Sequence, residues 1–183
     1  MPIDDEIKCP TVQVNPSRIQ YCPPIPKGFK IVVDSNEQKP LKFGGGIVTV
    51  RKKLNVGDYS IDGMESSVII ERKSQADFYG SITGDNRERL NLQFERGRGA
   101  GFKAFVIECE ESVLMTPELT FSGVNPNSAY GTITSLEVKH GFHVYYGNRS
   151  SCALKIANWL ICYYNRAHHV RRVLKPRKKK GTV

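Results

Sequence analysis

The chain has 183 residues, 39% hydrophobic and 25% charged, which suffices for one domain with a buried core and excludes a wholly disordered chain. Lys and Arg outnumber Asp and Glu by 27 to 18, for a net charge of +9. No apolar run approaches the ~20 residues of a membrane span, the acidic start Met1-Pro2-Ile3-Asp4-Asp5-Glu6 does not read as a secretory signal, and five cysteines without CxxC pairs predict a reducing compartment rather than a disulfide framework or zinc site.

Residues 1–27 carry Pro10, Pro16, Pro23, Pro24 and Pro26 without periodicity, which predicts an extended arm. The body is expected over 28–170. Phe29 to Val33 reads as a buried strand ending at Asp34, and Ile47 to Leu54 as a second strand after the flexible Gly44-Gly45-Gly46. Tyr59 to Ile61 and Ser67 to Lys73 flank Asp62-Gly63, a hairpin signal with room for a loop longer than two residues. Ser74 is placed to cap a short helix through Ile82, with Asp77 in a capping-box-like position. A second helix starts near Asn86, with Leu90, Phe94 and Gly97 on one face and Arg89, Gln93 and Arg96 on another.

Ala104 to Ile107 and Phe142 to Tyr145 are later strands. Residues 110–128 form a long loop, Asn127 or Ser128 caps a helix ending at Gly141, and a last helix begins near Ser150 or Ser151. This order predicts an α/β domain with a mixed central sheet flanked by helices. Residues 171–183 form a basic tail. Its Arg171, Arg172, Lys175, Arg177, Lys178, Lys179 and Lys180 meet no acid, and without them the balance is 20 to 18, or +2.

The chemically informative segment runs from Asp34 to Asp77. It holds Val33-Asp34-Ser35-Asn36-Glu37, then Val56-Gly57-Asp58-Tyr59, then Ile70-Glu71-Arg72-Lys73-Ser74-Gln75-Ala76-Asp77. Side chains alternate along a strand, so Glu71 and Lys73 share one face and Arg72 points the other way with Val68 and Ile70. Carboxylates and a lysine after an apolar strand suit phosphodiester hydrolysis. The diester is anionic, so its hydrolysis needs a cation that neutralises the phosphate and lowers the pKa of the attacking water. Mg²⁺ takes oxygen ligands, commonly one or two carboxylates with waters and phosphate oxygens. Asp58 and Glu71 supply these if the hairpin brings them together, and Asp34 offers a third. Lys73, held charged by nearby carboxylates, can orient the water or stabilise charge building on the phosphate. Surface ion pairing at a strand end is the competing reading.

Gly57-Asp58, Glu71-Arg72-Lys73 and Asp77 together resemble the nuclease domain of the xeroderma pigmentosum group F and crossover-junction endonuclease family. That family's pattern is Gly-Asp, a gap, Glu-Arg-Lys and then Asp. The upstream Asp-x-Arg-Glu of the family matches at Asp34 and Glu37, and similarity continues through Phe78-Tyr79-Gly80-Ser81-Ile82, Arg89-Leu90 and Gln93. About 28–166 is covered. The resemblance implies a restriction-endonuclease-like fold and a divalent metal, Mg²⁺ with Mn²⁺ as a substitute, at Asp34, Asp58 and Glu71. It implies a catalytic role for Lys73, with Glu37, Arg72 and Asp77 shaping the site. Family members cut branched DNA at junctions, flaps or forks, and many act as dimers.

Two departures stand out. Asn36 occupies the family's Arg position, removing a cation that would touch phosphate or brace a carboxylate. No tandem helix-hairpin-helix pattern follows the last predicted helix, so DNA contact is expected from elsewhere in the chain or from a partner subunit. Arg177, Lys178, Lys179 and Lys180 suit phosphate contact, nuclear targeting or a solubilising end. Arg51 and Lys52, with Lys53, suit DNA contact or a solvated strand edge, and Arg89, Gln93 and Arg96 are expected to hold the DNA backbone. The four histidines lack metal spacing, Cys152 and Cys162 read as helix packing, and Trp159 with Tyr163 and Tyr164 as core or subunit interface.

The expectation is therefore a metal-dependent, structure-specific DNA endonuclease serving repair, recombination or replication, including Holliday-junction processing. It would be intracellular, in cytoplasm, nucleoid or nucleus, and work as a homodimer or with a heterodimer partner. The alternatives are a catalytically inactive DNA-binding scaffold and a sequence-preferring nicking or restriction nuclease of the same fold.

Overall fold

The structure, a computed structural model, describes residues 23–115 and 124–173. Six strands form one sheet: β1 (Lys30–Asp34), β2 (Val48–Lys52), β3 (Tyr59–Ile61), β4 (Val68–Ser74), β5 (Phe102–Glu108) and β6 (His143–Tyr146). Their order is β2-β1-β3-β4-β5-β6. β1 pairs with β2 in parallel and with β3 antiparallel, β3 with β4 antiparallel, and β4, β5 and β6 run parallel. The expected mixed sheet is present, and the Asp62-Gly63 hairpin closes through a loop longer than two residues.

Strand alternation splits the interior into two cores. Ile31, Val33, Val68, Ile70, Ala104 and Val106 face one side, where they pack with Ile156, Leu160 and Ile161 of the last helix, α5 (Arg149–Val173). Phe105 and Ile107 face the other. There they meet α1 (Gln75–Ser81), α2 (Asn86–Arg96) and α4 (Pro126–Val138) through Phe78, Leu90, Phe94 and Ile133. Each large buried aliphatic or aromatic side chain stabilises by about 1.5–3 kcal/mol, so both layers are firmly seated on the sheet.

Helix starts follow local chemistry. Ser74 caps α1 as expected: its Oγ accepts from the Asp77 amide at 3.1 Å and donates to Asp77 Oδ2 at 2.7 Å. α4 begins earlier than expected. Its cap is Asn125, whose side chain accepts from the Asn127 amide, and Pro126 fills the first turn, where its missing N–H costs nothing. At α5 the Asn148 side chain accepts from the Ser151 amide at 2.9 Å, so that helix also starts a residue early, at Arg149. It continues through Val173, taking in three residues that composition assigned to the tail.

The expected loop at 110–128 contains a helical turn, α3 (Glu111–Leu114), whose Leu114 is fully buried and whose carbonyl accepts from Tyr79 Oη at 2.6 Å. Trp159 packs edge-on to Phe102 and Tyr145, and Tyr163 leans on Phe102, so this aromatic group closes the sheet against α5.

Candidate active site

Gly57 makes the site. Its φ is +83°, and a Cβ there would lie 2.9 Å from Ile69 Cγ2 and 3.0 Å from the Ile70 carbonyl. Only glycine fits. The chain therefore runs flush against β4: the Asp58 amide donates to the Ile70 carbonyl, and the Asp34 amide to the Asp58 carbonyl, each at 2.8 Å. Asp58 is thereby set beside Glu71, and its Oδ2 accepts from the Arg72 amide at 2.8 Å. The glycine of the Gly-Asp pair is a steric requirement here.

Glu71 and Lys73 share the face of β4 that α1 and α2 cover. Lys73 Nζ stands 3.3 Å from Glu71 Oε1. On the other side, Gln93 of α2 donates from Nε2 to Glu71 Oε2 at 2.6 Å. Glu71 is buried, and burial raises its pKa. Asp58 is pushed up to about 8 by burial and by the neighbouring charge of Glu71. Two carboxylates that resist joint ionisation form a natural seat for a cation.

Asp34 behaves differently. Its Oδ1 accepts from the Leu54 amide at 2.7 Å, and its Oδ2 from the Asn36 amide at 3.0 Å and from Lys53 Nζ at 3.4 Å. Burial opposes its charge, but these donors outweigh burial and hold its pKa below the usual carboxylate value. Asp34 thus organises its own loop. Asp58 and Glu71 match the chemistry of Mg²⁺, which needs only one or two carboxylates. The second oxygen of Asp58 accepts no hydrogen bond from a described residue. Among the described residues no group of three or more His, Cys, Asp or Glu side chains is arranged to hold a metal ion. Asp58 and Glu71 would suit a divalent cation, and Asp34, which already accepts from three donors, lines the adjoining cavity with them.

Arg72 points to the opposite face, as alternation requires. Its guanidinium grips Glu37 and reaches Glu108 of β5 at 3.1 Å. Burial works against its charge, but Glu37 and Glu108 overcome it and raise its pKa. Glu108 is shared with Arg149 at 3.0 Å, and Arg149 also donates to the carbonyls of Lys39 and Pro40. Glu37 and Arg72 therefore brace the site from behind. Asp77 lines its rim, engaged with Ser74.

Arg51 donates to the carbonyls of Asp34 and Glu37 at 3.0 and 2.9 Å, so its guanidinium is bound to main chain. Lys52 is paired with Asp62 and Glu65, away from the carboxylates. The structure brings neither into the site; the member of that run that arrives there is Lys53. Arg89, Gln93 and Arg96 do line it. One cavity of about 490 Å³ holds Asp58, Glu71, Lys73, Arg89 and Gln93. An adjoining one of about 560 Å³ adds Asp34, Lys53 and Arg96. Arg177, Lys178, Lys179 and Lys180 lie outside the described residues.

Three roles escaped the sequence. Gln93 reads there as a DNA contact, yet its amide holds Glu71. The motif marks neither Glu108 nor Arg149. Arg149 carries a signal of sorts: a cation in a helix first turn opposes the helix dipole and calls for a tertiary partner.

Comparison with known proteins gives the family and the fold. The model of the ERCC4 domain matches residues 33–160. XPF from Aeropyrum pernix has a similar structure, with a TM-score of 0.58 at 21% identity, covering 83% of this chain and 75% of that one. XPF from Aeropyrum pernix in complex with DNA aligns with a TM-score of 0.56 at 20% identity, over 75% of this chain and 66% of that one. No curated protein matches the chain. The family match spans most of the sequence and includes Asp34, Asp58, Glu71 and Lys73, so the chain belongs to the ERCC4 domain family, the nuclease family its motif resembles.

Proposed function

We propose that this chain is a metal-dependent DNA endonuclease acting on branched or otherwise structured DNA. The observation that carries this reading is the cluster of Asp58, Glu71 and Lys73, open to a cavity that Arg89 and Arg96 flank. Asp58 and Glu71 would hold Mg²⁺, for which Mn²⁺ can substitute. When bound, such an ion supplies neutralisation of the phosphate and a water of lowered pKa. Lys73 contributes fixed positive charge where negative charge builds on the phosphate, an effect strongest in a partly dehydrated site. Gln93 keeps Glu71 from rotating away. Arg89 and Arg96 bind the DNA backbone, a contact that is salt-sensitive and independent of sequence. A relative of this fold has been seen in complex with DNA, which supports a DNA substrate. The family resemblance supports work as a dimer or with a partner subunit, and an intracellular setting. Among the described residues no helix is long and apolar enough to cross a membrane.

The test is cleavage of labelled fork, flap, four-way-junction and linear DNA with Mg²⁺, with Mn²⁺ and with chelator, alongside Lys73→Ala. Metal-dependent cutting of branched DNA that Lys73→Ala abolishes supports the proposal. Equal cutting of linear duplex favours a sequence-preferring nuclease of the same fold. A second reading, an inactive scaffold, draws on Asn36 in the family's Arg position and on the three donors from which Asp34 already accepts. Salt-sensitive binding without cutting would favour it.

A further inference from the structure

A third hollow, of about 690 Å³, opens beyond Arg96 and is lined by Lys53, Asn55, Val56, Ser66, Ser67 and Gly99, among others. Lys53, Asn55, Val56 and Arg96 also line the cavity that holds Asp58 and Glu71. The hollows therefore adjoin, and a strand lying along them would follow one track. At its other end Arg89 belongs to both of the cavities around the carboxylates. The track thus passes the carboxylates on both sides.

Its chemistry is that of a phosphate-backbone path. Arg89 and Arg96 are exposed, and neither has an ion-pair partner among the described residues. They lie on one face of α2 with Gln93 between them. Seven residues of helix advance about 10.5 Å, so the two guanidinium groups are spaced to meet different phosphates of one strand. Beyond Arg96 the wall offers the Asn55 amide and the hydroxyls of Ser66 and Ser67 as neutral donors. Its carboxylate, Glu65, is already matched by Lys52 at 3.1 Å.

We infer that the hollow bounded by Asn55, Ser66 and Arg96 is a binding subsite for the DNA strand that continues past the scissile phosphate. Arg89 and Arg96 then take phosphates on either side of the cut. A strand laid this way needs no free end at the site, so cleavage falls within a strand. The inference rests on the nuclease reading above.

The test is binding of a fluorescent fork to the full chain in chelator across a series of salt concentrations, followed by cleavage kinetics in Mg²⁺. The variants are Arg96→Ala and Ser66→Glu, both at exposed positions. Lys155→Ala is the control, since it removes a charge from α5 on the opposite side of the sheet. Arg96→Ala should flatten the slope of log K against log salt by about 0.7–0.9. Ser66→Glu should weaken binding by about fivefold or more, roughly one lost charge contact, and raise KM more than it lowers kcat. Lys155→Ala should bind as the wild type does. If the wild type cuts while Arg96→Ala and Ser66→Glu bind and cut as it does, the subsite is overturned and the nuclease reading stands. If both variants weaken binding but no protein cuts, the subsite stands and the catalytic reading falls. A wild type that neither binds nor cuts DNA overturns both.

Discussion

Arg72 holds both carboxylate oxygens of Glu37, from Nε at 3.1 Å and from one terminal nitrogen at 2.9 Å to each oxygen. The two residues are 35 positions apart, and their side chains are 9% and 6% exposed. The pair ties the loop after β1 to the middle of the sheet, behind the strand that carries Glu71 and Lys73.

Removing Arg72 leaves Glu37 without its cation and Glu108 with Arg149 alone. Arg72→Met should cost about 3–5 kcal/mol, the range for breaking a buried pair. Arg72→Lys should recover only part, because an ammonium cannot span two carboxylate oxygens and reach Glu108 as a planar fork does. Urea denaturation measures both. A loss below about 1 kcal/mol would place the pair with ordinary surface salt bridges.

Gly57→Ala puts a methyl group 2.9 Å from Ile69 and forces a left-handed backbone on a residue with a Cβ. The conformation alone costs about 1–3 kcal/mol, and the clash adds to it. Asp58 follows Gly57, so the chain's retreat from β4 also carries that carboxylate away from Glu71. Stability and cleavage should fall together. Full activity with an unchanged unfolding midpoint would contradict the steric account.

The metal-free protein should lose stability as pH rises from about 4 to about 8. Asp58 titrates near 8 in the folded chain and near ~3.9 when unfolded. Between those values the folded state binds more protons, so the contribution is full below the lower value and gone above the upper one. Mg²⁺ should raise the thermal midpoint more at pH 8 than at pH 5, and Asp58→Asn should flatten the metal-free profile. Calorimetry in chelator checks the sign.

Gln93→Ala should lower metal affinity or cleavage about 10–100-fold, as loss of a group that orients a ligand typically does. Gln93→Glu should be worse, since it adds a negative charge 2.6 Å from Glu71. Gln93→Ala should also cost about 1–3 kcal/mol of stability, because the buried Glu71 loses its 2.6 Å donor, and Gln93→Glu should cost more. Mg²⁺ titration calorimetry separates the loss of metal affinity from a general loss of structure.

Much of this was legible in the sequence. Alternation along β4 alone separates Glu71 and Lys73 from Arg72, and the Ser74 cap and the two faces of α2 follow from spacing. Long-range pairings were hidden. Nothing local tells Arg72 that Glu37 and Glu108 await it, and Arg51 and Lys52 look equally free until the loop after β1 folds beneath one and the β3–β4 loop beside the other. Asp34 is the instructive case. A carboxylate at a strand end reads as a ligand, and nothing local shows that the backbone amides of Asn36 and Leu54 also hold it. At α4, Asn125 wins over Asn127 and Ser128 because Pro126 fits only the first turn.

α2 is fastened to the rest of the molecule by two buried side chains, Leu90 and Phe94, whereas β4 and β5 are packed on both faces. Amide hydrogens of α2 should therefore exchange with solvent well before those of the central strands, because local opening is cheapest where least apolar surface is hidden. Each such excursion lifts Gln93 from Glu71 and takes Arg89 and Arg96 with it. Such an opening leaves the sheet beneath intact, and on the proposed nuclease reading it would widen the cavity that Arg89 and Arg96 flank.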